Sequence, residues 1–236
     1  MNILITRPEP EASELAATLN QLGHHTLVDP MLHIEFLVPD PVNFSVAQAI
    51  MFTSANGIRG AKALTIPTSL PTYVVGSATA QAAQHFKNIY VSNGGALELC
   101  QHIVKDLNPA KGPLIHFSGR HTAIDIQHTL QTKGFCVEKY IVYEAKPARQ
   151  FAPETLQALA GRTIQSVLFF SPRSAAIFAK LLIYNKQTII CRSMTAICFS
   201  QNVAGALQGT TWKELRVTQR PQMECLLSLL NQQENV

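Results

Sequence analysis

Charge is scarce in this chain: only 14% of its 236 residues are Asp, Glu, Lys or Arg, and the formal net charge is +4. The charges are also unclustered. No lysine-rich run or basic stripe interleaved with aromatics occurs, so no nucleic-acid partner is expected. Acidic residues gather only at Glu9, Glu11 and Glu14, on what reads as a first helical turn, where the helix dipole accounts for them. Long apolar runs are missing too. The longest are strand-sized, too short for a helix across a bilayer, so no membrane partner is expected. The opening MNILITRPEP lacks a basic leader followed by an apolar h-region, which leads to the expectation of a cytoplasmic protein without a cleaved address.

The five cysteines (Cys100, Cys136, Cys191, Cys198, Cys225) form no CxxC and no Cys/His ligand spacing. They are expected to be reduced and mostly buried, with Cys136 and Cys198 in the core. The eight histidines are no better organised, so no metal site is expected. GxGxxG after the first strand, GxxxxGK[ST] and GxSxG are all absent, and no nucleophile with a patterned base stands out.

What is present is alternation. Short apolar runs (Ile3–Ile5, Ile50–Phe52, Tyr73–Val75) are followed by stretches with helical periodicity. The first has apolar positions Ala12, Leu15, Ala16, Leu19 and Leu22, closed by Gly23; others cover about 77–86 and 96–107. Residues 26–36 read as extended. Hydrophobic content of 47% over 236 residues allows one large or two small cores. This predicts an α/β fold with parallel sheets flanked by helices.

The second half repeats the first. Leu114–Phe117 opens a unit ending in Gly134, as Leu4 opens one ending in Gly23. LFFSPRSA around Ser171 echoes MFTSANGI around Ser54, and ICFSQNVAGAL from Ile197 echoes YVVGSATAQAA from Tyr73. The same order of units predicts a duplicated α/β domain. LVPDPVNF (37–44) and AKPARQFAPE (145–154), with two prolines each, read as crossings between the copies. A discontinuous domain and two consecutive ones both remain compatible with that pattern.

The strand-to-helix junctions carry the chemistry. Ser171 before Pro172 is a strong helix start, with Ser174 in the first turn, and Ser54 plays the same part before Ala55. Thr53, Ser77 and Thr79 add hydroxyls beside strand ends. In an open parallel sheet, ligands bind at the carboxyl ends of the strands, where helix starts present free N–H groups. Repeated junctions of this kind suit a ligand with several carboxylates or phosphates, although every helix needs a cap. Arg7 and Arg120 each follow a unit-opening strand and can pair with a carboxylate. Arg173 opposes the dipole of its own helix, a placement that a bound anion would compensate.

The ordered set ILITRPEPEASELAATLNQLGHHTLVDPMLHIE, MFTSANGI, YVVGSATAQAA, IVYEAKP and LFFSPRSA resembles the uroporphyrinogen-III synthase family over nearly the full length. The resemblance implies two similar lobes, each a flavodoxin-like parallel sheet flanked by helices, joined by a two-stranded linker. Lobe one would be 1–36 plus 148–236 and lobe two 40–144, with crossings at 37–39 and 145–147. It implies a cofactor-independent lyase that dehydrates and cyclises hydroxymethylbilane with inversion of ring D, in tetrapyrrole (heme) biosynthesis. It implies a monomer whose partners are that substrate and, transiently, the upstream hydroxymethylbilane synthase. Tyr143, in VYE, matches the tyrosine proposed to assist loss of the hydroxyl. Thr53, Ser54, Gly76, Ser77, Thr79, Ser171, Pro172 and Ser174 fall on the family's substrate-binding positions.

One motif departs from the family. Where it has a sequence close to GPTTA, this chain has Ser200-Gln201-Asn202-Val203-Ala204, so Ser200 and Asn202 are the remaining polar candidates there. That departure leaves a second reading, a weakly active or inactive paralogue that binds tetrapyrroles or other polyanions. A flavodoxin-like nucleotide or flavin protein would fit the fold type but lacks a phosphate-loop pattern.

Overall fold

The computed structural model describes residues 1–122, 124–220 and 222–231. In chain order the elements are β1 (Asn2–Ile5), α1 (Glu11–Gln21), β2 (His25–Val28), β3 (Leu32–Phe36), β4 (Ala49–Phe52), α2 (Ala55–Gly60), β5 (Thr72–Val75) and α3 (Ser77–Ala82). There follow β6 (Ile89–Ser92), α4 (Ala96–Asp106), β7 (Leu114–Gly119), α5 (Ile126–Gln131), β8 (Val137–Pro147) and α6 (Pro153–Ala160). The last are β9 (Ser166–Phe169), α7 (Pro172–Tyr184), β10 (Thr195–Cys198), α8 (Gln201–Gly205), β11 (Glu214–Val217) and α9 (Met223–Asn231).

The chain divides into two compact units, Met1–His33 with the residues from Lys146 onward, and Ile34–Ala145. The chain passes from one to the other within β3 and within β8, so the proline-rich stretch 37–44 lies inside the second unit. One sheet has the order β11-β10-β9-β1-β2, the other β3-β8-β7-β4-β5-β6. Neighbours from β2 to β11 and from β8 to β6 pair in parallel. With β7 and β8 matched to β1 and β2, and β4–β6 to β9–β11, the two orders are the same over five strands, and β3 is an additional edge strand of the second sheet. The repeat in the sequence is a repeat of topology.

The inner strands β1 and β4 are apolar along almost their whole length because helices cover both faces. In β1, Leu4 faces one core while Ile3 and Ile5 face another; in β4, Ala49 and Met51 face one core while Ile50 and Phe52 face another. The two unit-closing glycines also act alike. Gly23 and Gly134 have φ of +84° and +87°. Each amide donates to the carbonyl of the third residue before it, and the next amide (His24, Phe135) donates five residues back, to Leu19 and Leu130. That pair of bonds requires the left-handed conformation that glycine adopts without a Cβ penalty.

Three local expectations change. Leu22 caps α1 instead of packing below it and is exposed. The helix expected over 77–86 ends at Ala82, beyond which turns carry Phe86 back into the core. Cys136 is exposed, not a core residue: its neighbours Phe135 and Val137 take the inward positions and leave it pointing outward. Cys100, Cys191 and Cys198 are buried and Cys225 half-buried; burial pushes the Cys191 and Cys198 thiols up to about 11 and about 12. No described helix is long and apolar enough to cross a membrane.

Candidate functional site

Three junctions at strand carboxyl ends share one construction. The Ser54 hydroxyl oxygen accepts from the Gly57 amide at 3.2 Å, Ser171 from Ser174 at 3.1 Å and Ser200 from Val203 at 3.3 Å. Each serine has an extended backbone and satisfies one of the orphan amides that begin α2, α7 and α8. The cap needs only residues i and i+3, which is why it was legible in sequence. Pro172 occupies the first turn of α7, where no amide is needed. In the altered third junction the cap survives, and Val203, at 1% exposure, belongs to the core behind it. Replacing Ser171 by alanine is expected to lower stability by about 1–2 kcal/mol, read as a shift in urea midpoint. Ser171→Thr, which keeps a hydroxyl, should lose less.

The second unit builds a concavity of about 230 Å³ at this end of its sheet, lined by Thr53, Ser54, Val75, Ala96, His121, Thr122, Ile124 and Tyr143. It lies where β7 and β4 meet, the point at which strand order reverses. Tyr143 reaches it through an irregularity in the sheet. Up to Ser118, β7 and β8 pair one to one, with Ser118 opposite Ile141; then Gly119 lies opposite Tyr143, and Val142 is skipped. The bulge carries Tyr143 to the β4 junction, where its hydroxyl and that of Ser54 share a hydrogen bond of 2.9 Å that either can donate. Val142 is fully buried and accepts the Leu37 amide at 2.9 Å, which holds the bulge in place. Helix α2 packs flush on these strands because Gly57 and Gly60 approach the carbonyls of Phe117 and Val142 more closely than a Cβ would allow.

Ser54 therefore does two things. Its oxygen accepts the Gly57 amide, and it shares one further hydrogen bond with the Tyr143 phenol, which leaves one O–H of the pair available. The pair gives a proton donor at the wall of the concavity whichever hydroxyl faces a ligand. Beside it, the start of α4 is closed by the chain's own carboxylate: Glu98 accepts the Ser92 hydroxyl at 2.6 Å and the Gly94 amide. The Ser92 hydrogen bond first, then the Gly94 amide, hold the Glu98 carboxyl below its usual range.

The other residues expected at the site are distributed as follows. Thr53 is half-buried and lines the concavity, while Gly76, with φ +78°, starts α3 and leaves Ser77 exposed. Thr79 and Ser174 are buried, at 4% and 1% exposure, and Ser174 accepts the Ser171 hydroxyl at 2.9 Å. Arg7 stacks its guanidinium over the Phe170 ring, 4.6 Å from the centroid. Arg120 pairs with Glu144 at 3.3 Å, and its amide donates to the Tyr143 carbonyl. Arg173 is half-buried and Asn202 exposed. His121, Thr122 and Ile124 were missed by the sequence reading. They follow Arg120 in a segment without periodicity, so only their position beside Tyr143 marks them.

Two flavodoxin-like units that share a five-strand order, hydroxyl-capped helix starts and a hydroxyl pair at a reversal of strand order define a duplicated, doubly wound α/β protein. Within that class the chain belongs to the uroporphyrinogen-III synthase family: the family model for uroporphyrinogen-III synthase HemD matches residues 13–228. No curated protein matches the chain in sequence. Among solved structures, it is similar to uroporphyrinogen-III synthetase from Helicobacter pylori, with 18% identity, 98% of this chain and 99% of that chain covered, and a TM-score of 0.65. A mutant uroporphyrinogen III synthase from the extremely thermophilic bacterium Thermus thermophilus is 16% identical over the whole of both chains, with a TM-score of 0.56. At these identities the two structures speak to the fold.

Proposed function

We propose that the chain is a uroporphyrinogen-III synthase, a carbon–oxygen lyase that dehydrates and cyclises hydroxymethylbilane with inversion of ring D. The family match across residues 13–228 carries this reading. The chemistry asks for a proton at the departing hydroxyl, which leaves as water and creates a cationic azafulvene. The substituted carbon of ring D then attacks it, giving a spiro intermediate that reopens to a second cation and recloses at the free α-carbon of ring D, which loses its proton as the type III isomer forms. The Ser54–Tyr143 pair supports such a role, because a phenol and a serine hydroxyl joined at 2.9 Å can pass a proton to one oxygen at the wall of the concavity. Holding the reacting carbon against the cation is the larger part of the task, since the competing closure without inversion needs no catalyst.

The exposed and half-exposed groups at the strand ends are the proposed ligands of the substrate's eight carboxylates. They are Thr53, Ser77 and Arg120 in the second unit and Arg7, Ser171, Arg173, Ser200 and Asn202 in the first. Gly76 and Pro172 shape the backbone there, and the buried hydroxyls of Thr79 and Ser174 support the helix starts from behind. The protein is proposed to work as a cytoplasmic monomer that receives its unstable substrate from the upstream synthase by transient contact. The decisive measurement supplies purified protein with freshly generated hydroxymethylbilane and resolves the products by chromatography. The type III isomer is expected; type I alone, as in an enzyme-free control, would overturn the assignment.

A further inference from the structure

The geometry points to Gly119 as a positioning residue for Tyr143. This rests on the reading of Tyr143 as the proton donor. Gly119 ends β7, is buried, and has no positive φ, so backbone freedom is not what the position demands. What it demands is the absence of a side chain. A Cβ built there would lie 2.6 Å from Cζ of Tyr143, 2.7 Å from Cε2 and 2.9 Å from the phenol oxygen, all far inside van der Waals contact. The phenol end of the tyrosine ring thus lies against the Gly119 backbone, in register with it across the bulge.

The neighbours leave the ring little alternative. Its own strand is held on both sides, by the Arg120 amide on the Tyr143 carbonyl at 3.0 Å and by the Leu37 amide on the Val142 carbonyl at 2.9 Å. Any side chain at Gly119 must therefore push the phenol off its 2.9 Å bond to Ser54 rather than move the strand. Bulge, glycine and serine act together: the bulge brings Tyr143 to the junction, Gly119 sets the depth of its ring, and Ser54 fixes its hydroxyl. Gly119 touches no reacting atom itself. Close approach of one group to a backbone is a recurring reason for glycine in a strand.

The test is a mutant cycle on the full chain with Gly119→Ala, Tyr143→Phe, Tyr143→Ala and the double variant Gly119→Ala/Tyr143→Ala. Gly119→Ala is expected to lower kcat for type III formation about tenfold, because misplacing a reacting group by an ångström is costly. KM should stay within about twofold, since the proposed carboxylate ligands are untouched. The urea midpoint gives a readout independent of turnover: Gly119→Ala should lower it in the wild-type background and leave it unchanged once Tyr143 is alanine. If Tyr143→Phe is slow while Gly119→Ala turns over at the wild-type rate, this inference fails and the reading of Tyr143 stands. Equal midpoint losses in both backgrounds would also overturn it, placing the strain in the sheet. If Tyr143→Phe matches wild type, the role of Tyr143 falls and takes this inference with it.

Discussion

Replacing Tyr143 by phenylalanine is expected to slow formation of the type III isomer by about 100-fold or more, the range over which a positioned acid acts. The substitution keeps the ring that rests on Gly119 and removes only the hydroxyl that meets Ser54 at 2.9 Å. Binding should change little, so the loss should appear in kcat. The uncatalysed closure continues meanwhile, and the product ratio should shift toward type I. Ser54→Ala is expected to be milder in rate: it removes the phenol's partner and a helix cap but leaves the phenol itself. Wild-type turnover in Tyr143→Phe would remove the tyrosine from the mechanism. A larger loss for Ser54→Ala than for Tyr143→Phe would instead make the serine the donor.

The second large effect concerns stability. His116, in the middle of β7, is 1% exposed, and neither ring nitrogen has a hydrogen-bond partner among the described residues. Met51 and Lys139 flank it in register on β4 and β8. Burial pushes its pKa down to about 4; the Lys139 cation adds to the shift and Asp125 opposes it. In the unfolded chain the imidazole titrates at its ordinary 6.5. As pH falls below that value the unfolded chain takes up a proton that the folded chain refuses, so stability declines. The contribution is whole above pH 6.5 and is lost by about pH 4, for a total of about 3 kcal/mol. Urea midpoints measured across this window should fall in the wild type and fall markedly less in His116→Leu. The variant should also be no less stable at neutral pH, since an apolar side chain replaces an unsatisfied polar one. Identical pH slopes for the two proteins would show that His116 is not the group responsible.

Much of the fold was legible along the chain. Strands buried on both faces read as largely apolar runs, and β1, β4, β9 and β10 were visible on that account, as was β7 despite His116. Caps and helix-closing glycines were visible because their bonds span three to five residues. The same locality explains why the altered motif at Ser200 keeps its shape: a serine in the right place caps α8 whatever follows in the family pattern. The arginines are a contrast. Arg7 and Arg120 were recognisable as residues beyond strand ends, but the Phe170 ring lies just past the end of β9 and Glu144 lies on β8, both distant in sequence or register from the arginine they meet.

The sequence by itself determined the alternation of strands and helices, the duplication, and the places where helices start on a hydroxyl. These follow from side-chain period and from hydrogen bonds between near neighbours. Only the tertiary structure decided which hydroxyls meet. Ser54 and Tyr143 are 89 residues apart, and what joins them is the skipped pairing of Val142 with the space left at Gly119. Strand register is settled by the packing of whole sheet faces, and a single bulge in it re-aims one side chain without leaving a mark on the local pattern.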